Sequence, residues 1–340
     1  FGIKAWQAAF LAVGFPGLLL AILVYLLKEP IRGLSDGRVA KPPAQKPWPA
    51  FLEELSWIIP PLSLIRIGSL GKAHFRQNLT AGGVILVLTL LAIYITGDYA
   101  QWISLAAGFY VIFTWAQSLM HRDAPAFAIM FRTPSFVLTV AGFTCIAFSR
   151  FGVTFWTPAF FMRFHDMSVG EVATLVGTVS VFAGIAGDVV GGVWADHWKK
   201  TNNGGRLLVG VFAAGVPIPL IVWMLYTDQT YVAAALLAPI MLCGAMFTGP
   251  GASTVQDLVL PRMRGTGAAV LILSLNLIGL GIGPYLVGRI SDSVGDLRMG
   301  MMLSILVSMG AIVCFLVAAR RIGIDESSRW DRAQQYGEVS

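Results

Sequence analysis

The stretch GDVVGGVWADHWKK, residues 187–200, passes from glycine and valine to one aspartate and then to two lysines. Gly187 and Gly191 stand four apart, so on a helix they share a face that lets a neighbour approach closely or slide. Asp196, Lys199 and Lys200 follow where the apolar run ends, as expected where a span reaches water. The composition agrees: 56% of residues are hydrophobic and 12% are charged, which a soluble domain does not show. A helix needs about 20 apolar residues to cross the hydrocarbon core, and such runs recur along the chain. The sequence therefore predicts an all-α membrane protein with about nine transmembrane helices, near 5–27, 80–97, 101–119, 135–161, 170–194, 206–226, 231–252, 265–288 and 299–319.

Charge sets the orientation, because lysine and arginine stay on the cytoplasmic side. Of the 24 such residues only Lys4, Arg150, Arg163, Arg289 and Arg298 fall outside one set of alternate loops. The chain is thus expected to enter from outside and to end in the cytoplasm. This bias also accounts for the net charge of +6, and no nucleic-acid partner is invoked. Cys145, Cys243 and Cys314 lie in predicted spans without metal-ligand spacing, and the four histidines fall in loops or at span edges. No catalytic set, metal site or cofactor is read, and an enzyme is not expected. The initial Phe1, with no leader, suggests the downstream part of a longer protein.

Placed at the inner end of a span, residues 187–200 resemble the glycine-rich, Asp-then-basic motif of the major facilitator superfamily. GIKAWQAAFLAVGFPGLLLAILVYLLKEPIRG (2–33) is similar to the sixth helix of such a transporter. FWTPAFFMRFHDMS (155–168), followed by GGVWADHWKK, is similar to helices seven and eight. VQDLVLPRMRGTGAAVLILSLNLIGLGIGPYLVGRISD (255–292) resembles the loop after helix ten and helix eleven of the spinster-like branch. The resemblance implies a partial superfamily bundle. Residues 1–33 would be the last helix of the amino-terminal half, 134–320 the six-helix carboxyl-terminal half and 321–340 a cytoplasmic tail. It further implies a secondary transporter that works by alternating access, with amphipathic, lysophospholipid-like or sphingoid-like substrates and a missing amino-terminal helix bundle as partner. The location implied is the bacterial inner membrane, among membrane lipids, with the carboxyl terminus cytoplasmic. A transporter of water-soluble organic anions or drugs, and a non-transporting receptor or channel, are the alternatives.

Two departures stand out. His197 occupies the motif position where the family usually has arginine, leaving Lys199, Lys200 or Arg206 to pair with Asp196. Residues 34–133 are much longer than a usual central loop. Pro42, Pro43, Pro47 and Pro49 suggest a linker there, and 62–76 reads as one interfacial helix carrying Arg66, Lys72 and Arg76. Two extra crossings follow, with a re-entrant hairpin as the alternative.

Single positions sharpen the picture. Ser168 and Glu171 form a capping box at a helix start. The GLGIGP stretch, 279–284, reads as helix packing or bending at Pro284, not as a dinucleotide loop. Arg150 lies about 22 Å from the inner end of its span, and Asp188 only about 10 Å from that of its own, so neither Asp188 nor Glu171 is well placed to meet it. A charge near mid-bilayer costs roughly 2.5 to 3.5 kcal/mol. Arg150 then either faces the central cavity, meeting an anionic substrate group or a carboxylate from the missing half, or snorkels outward beside Trp156. Arg150, Asn276 and Trp156 are the candidate substrate-binding residues, and Asp188 is a coupling candidate or a packed polar group. Asp196, Asp257, Lys199, Lys200, Arg262 and Arg264 are candidate gate residues, with Asp257, Arg262 and Arg264 as expected partners of Asp196. Solvated loop charge is the alternative.

Overall fold

The computed structural model describes residues 4–28 and 47–338, which form two compact units divided at Pro47. The proline linker's Pro42 and Pro43 lie outside the described residues, as do Arg32, Arg38, Lys41 and Lys46. The first unit contains α1 (Ala5–Leu26), whose apolar run is Phe10–Leu26. The second begins with α2 (Pro47–Ile58) and α3 (Leu62–Ser69). The helix expected over 62–76 divides at Gly71, whose φ of 128° is accessible to glycine and strained for other residues. Lys72 and Arg76 therefore belong to α4 (Lys72–Thr96), which turns through Gly97 and Asp98 into α5 (Tyr99–Arg122). These two helices are longer than the runs 80–97 and 101–119 and form a full-length hairpin.

A short helix α6 (Ala124–Phe131) leads to α7 (Pro134–Phe164) and α8 (Val169–Lys199). The next two crossings are interrupted. One is α9 (Gly205–Gly215) with α10 (Pro217–Tyr226), and the other is α11 (Thr230–Ala245) with α12 (Thr248–Leu258). Prolines account for the interruptions. Pro217 and Pro219 donate no N–H, and Pro250 cannot supply the bond that the Met246 carbonyl would accept. A 3₁₀ turn (Pro261–Met263), α13 (Arg264–Ser274), a π-helical turn (Leu275–Leu280) and α14 (Gly281–Val294) make one further crossing. Pro284 likewise leaves the Leu280 carbonyl without its helical donor, at the end of the π turn. The last crossing is α15 (Leu297–Ser327), followed by α16 (Arg329–Gln335). Among the described residues eight helical crossings are long and apolar enough to span a membrane, and α1 contributes a shorter apolar run, Phe10–Leu26.

Small residues let the central helices approach one another. The Phe315 ring on α15 sits where a Cβ on Gly142 of α7 would lie 2.5 Å from it and one on Gly210 of α9 2.9 Å. Ser308 donates to Ser149 (2.9 Å), whose hydroxyl donates to the Ser304 carbonyl (2.7 Å), so α7 and α15 are also joined by hydrogen bonds in the core. Two aromatic-rich clusters fill the interior, one around Phe143, Phe247 and Phe315 and the other around Phe160, Phe161 and Met224. The capping box at Ser168 and Glu171 is present, with the Glu171 N–H donating to the serine hydroxyl and the glutamate accepting from the Ser168 N–H.

The candidate substrate pathway and ionic gate

Gly187 and Gly191 build one wall of the site. A Cβ on either would lie 2.3 Å from a carbonyl oxygen of α11 or its end, that of Leu242 for Gly187 and that of Met246 for Gly191. Gly184 and Gly192, on the same helix, have nothing within 4 Å of such a Cβ. The close contact is thus made by two of the four glycines: Gly187 meets a Leu242 carbonyl that accepts from the Met246 N–H, and Gly191 meets the Met246 carbonyl, whose helical donor Pro250 lacks.

Arg150 projects from α7 into the same region. Its aliphatic stem passes over Gly244, and its guanidinium carbon lies 5.7 Å from the Phe151 ring centre and 6.0 Å from that of Phe247. It borders a cavity of about 30 Å³ lined also by Ser149, Thr154, Met241 and Ser308. That space holds about one water and no organic solute. Asp188 is exposed on α8 and close enough for its charge to act on Arg150. The two do not form an ion pair, and among the described residues no carboxylate lies within 4 Å of Arg150. The depth count along two separate helices did not anticipate even this electrostatic contact.

The other two candidate binding residues lie apart from Arg150. Trp156 is half-buried, with its indole N–H donating to the Pro284 carbonyl at 2.8 Å and its ring against Gly288. It borders a hollow of about 480 Å³ together with Asp98, Gln101, Tyr285 and Arg289. Asn276 occupies the π turn, where its amide donates to its own helix at the Ile272 carbonyl (2.8 Å). It borders a separate hollow of about 680 Å³ between α5 and α13.

At the far end of α8 the charges form a network. Arg206 donates to Asp196 at 2.7 and 3.0 Å, so it is the cation that pairs with the motif aspartate. Asp257, at the end of α12, accepts from both Lys199 and Arg206, and Lys199 reaches Glu326 on α15 at 3.1 Å. Arg329 donates to the Asp257 main-chain carbonyl. Lys200 is exposed, with no carboxylate within 4 Å among the described residues. Arg262 belongs to a different cluster and donates to Asp123 (2.5 and 3.0 Å) and to Glu338 (2.7 Å). Arg264 opens α13. The structure thus gathers Asp196, Lys199 and Asp257 with Arg206 and Glu326, and pairs Arg262 elsewhere. Burial raises the Asp123 carboxyl, but the Arg262 hydrogen bonds, the Ala126 N–H and the Arg262 and Arg122 charges outweigh it and hold it below the ordinary carboxylate range.

Sequence reasoning missed several contacts. Glu326 follows the last span beside Asp325, and its acidity in a basic end was the available signal. Asp98 and Gln101 fix the α4–α5 hairpin to α14, since Tyr285 donates to Asp98 at 2.7 Å and Gln101 donates to the Gly281 carbonyl at 2.6 Å. Nothing in local sequence marks that pairing, because the partners are 180 and 187 residues apart in the chain.

Residues 1–284 match the Major Facilitator Superfamily. An MFS-type efflux pump of Mycolicibacterium smegmatis is 30% identical over 223 residues, covering 63% of this chain and 52% of the pump. Protein spinster homolog 1 of Xenopus laevis is 25% identical over 211 residues, covering 57% of this chain and 39% of that protein. The chain therefore spans about half or less of the length of these relatives. A bacterial homolog to the human lysosomal transporter Spinster, solved in an inward-facing and occupied conformation, aligns over 76% of this chain and 64% of its own. Its identity is 17% and its TM-score 0.39, too low to carry an argument. The match over 284 residues, on a chain of membrane-length helices with this glycine face and ionic cluster, places the protein in the Major Facilitator Superfamily, with spinster-like relatives.

Proposed function

We propose that the chain is the carboxyl-terminal half, with an inserted hairpin, of a secondary active transporter that moves a small amphipathic or anionic solute by alternating access. The observation that carries this reading is Arg150. Its charge is half-buried in a membrane span, at a cost of roughly 2.5 to 3.5 kcal/mol if uncompensated, and no carboxylate within 4 Å neutralises it among the described residues. An anionic group of a solute supplies that compensation, with Asp188 nearby as the candidate coupling carboxylate. The 30 Å³ cavity is too small for a solute, so the binding space would be completed by a second helix bundle that rocks against this one. The network of Asp196, Arg206, Asp257, Lys199 and Glu326 would act as the cytoplasmic gate.

The spinster-like resemblance of residues 255–292 implies lysophospholipid-like or sphingoid-like lipids as substrates. The efflux-pump relative favours a second reading, organic anions or drugs. Full-length protein in liposomes, assayed for uptake of a lysophospholipid and of a water-soluble organic anion with and without a proton gradient, separates them. Arg150→Ala is expected to abolish uptake of whichever substrate is moved, with no loss of thermal stability, since an uncompensated charge is removed. Undiminished uptake in that variant would remove Arg150 from the pathway.

A further inference from the structure

The inserted hairpin carries an open trough whose chemistry changes along its length. Most large apolar side chains of α4, among them Val84, Leu86, Val87, Leu88, Leu90 and Leu91, are exposed within the described chain, so in a bilayer this face meets lipid. Between α4 and α5 two hollows, of about 500 and 620 Å³, share Ile85 and Phe113 and so form one continuous trough. Its deep part is lined by Leu88, Thr89, Trp102 and Phe109. The two polar groups there are already engaged, Thr89 with the Ile85 carbonyl (2.7 Å) and the Trp102 N–H with Thr96 (2.8 Å). That part of the trough offers a ligand apolar contact and no free donor.

The other end is cationic. Arg76 and Gln77 line it, and Lys72 lies one turn before Arg76 on the same face. Both cations are exposed, and neither has a carboxylate within 4 Å among the described residues. Their neighbours are matched: Arg122 donates to Glu54 at 2.9 and 2.5 Å, and Asp123 is held by Arg262. From Arg76 to Leu88 the helix rises about 18 Å, close to the roughly 15 Å that one leaflet contributes to the hydrocarbon core.

We propose that this trough binds one anionic phospholipid, with its phosphate on Arg76 and Lys72 and one acyl chain along Ile85, Phe113, Leu88 and Phe109. The site is on the hairpin, apart from Arg150, and does not depend on the transport reading. Basic pockets beside membrane helices select anionic headgroups in this way, and each basic side chain contributes a factor of about five.

The test is native mass spectrometry of the chain, purified in detergent and offered phosphatidylglycerol and phosphatidylcholine of equal chain length. Wild type is expected to retain one phosphatidylglycerol in preference to phosphatidylcholine. Arg76→Gln should cut that preference about fivefold with an unchanged melting temperature, since the side chain is exposed. Ala106→Trp, which fills the deep trough, should reduce retention of both lipids. Equal retention of the two lipids by wild type, or an undiminished preference in Arg76→Gln, would overturn the proposal.

Discussion

At the scale of single residues, the four glycines of α8 are not equivalent. Gly191→Ala drives a methyl into the Met246 backbone, and overpacking of this kind costs about 1 to 3 kcal/mol. Gly192→Ala meets nothing within 4 Å and removes backbone freedom from a helix, so it should leave stability unchanged or slightly raised. Thermal unfolding of the two variants in detergent is expected to show a clear drop for the first and none for the second. Trp156→Phe keeps an aromatic side chain but removes the indole N–H from the Pro284 carbonyl and the ring edge against Gly288, a loss of at least about 0.5 to 1.5 kcal/mol by the same measurement. The sequence showed that α8 has a small-residue face, because spacing alone defines a face. It could not show which glycines touch a partner, since that depends on which of them face the backbone of α11, a helix more than 40 residues away in the chain. The partners of Arg262 were equally hidden: Asp123 and Glu338 are 139 and 76 positions away.

At the scale of elements, helices were legible where local chemistry fixed them and obscure where packing did. The capping box at Ser168 and the membrane-length runs were readable from neighbouring residues. The break at Gly71, the π turn before Pro284 and the extension of α15 to Ser327 were not, because apolar periodicity does not record where a helix changes its bonding. The end of α12 makes a sharp prediction. Asp257 accepts from two cations that are each mostly covered, Lys199 at 24% and Arg206 at 17% side-chain exposure. Asp257→Asn should therefore cost about 1 to 3 kcal/mol, more than an exposed pair contributes. A double-mutant cycle with Lys199→Met should show coupling of the two sites, and independent effects would dissolve the network into separate surface pairs. Gln101→Leu removes the hydrogen bond that holds the hairpin to the Gly281 carbonyl. Faster hydrogen exchange confined to α4 and α5 is the expected consequence.

At the scale of the whole molecule, acidity should loosen the fold in two windows. His165, beyond the end of α7, has its imidazole pushed below the ordinary range by burial and then by the Arg298 charge. Its stabilising contribution is complete above the unfolded value of about 6.5 and declines as pH falls toward the lower folded value. Glu54 is held below the ordinary carboxylate range by the Arg122 hydrogen bonds, against burial, and Asp123 is also lowered. Their contribution is complete above about 4 and is lost as pH falls through the folded values. The melting temperature should decline in a first step that is reduced in His165→Asn, and in a second step that is reduced in Glu54→Gln. The membrane class and superfamily were readable from composition and motif, whereas the docking of the α4–α5 hairpin onto α14 required coordinates. Gly187 and Gly191 meet carbonyls four residues apart on the facing segment, so the contact repeats with the helix rather than varying smoothly. Displacing α8 by four residues, about 6 Å, would bring Gly191 over Leu242, whereas intermediate shifts would set larger side chains against the backbone. The seam therefore works as a detent with discrete stops, and small displacements of α8 must carry α11 along with it.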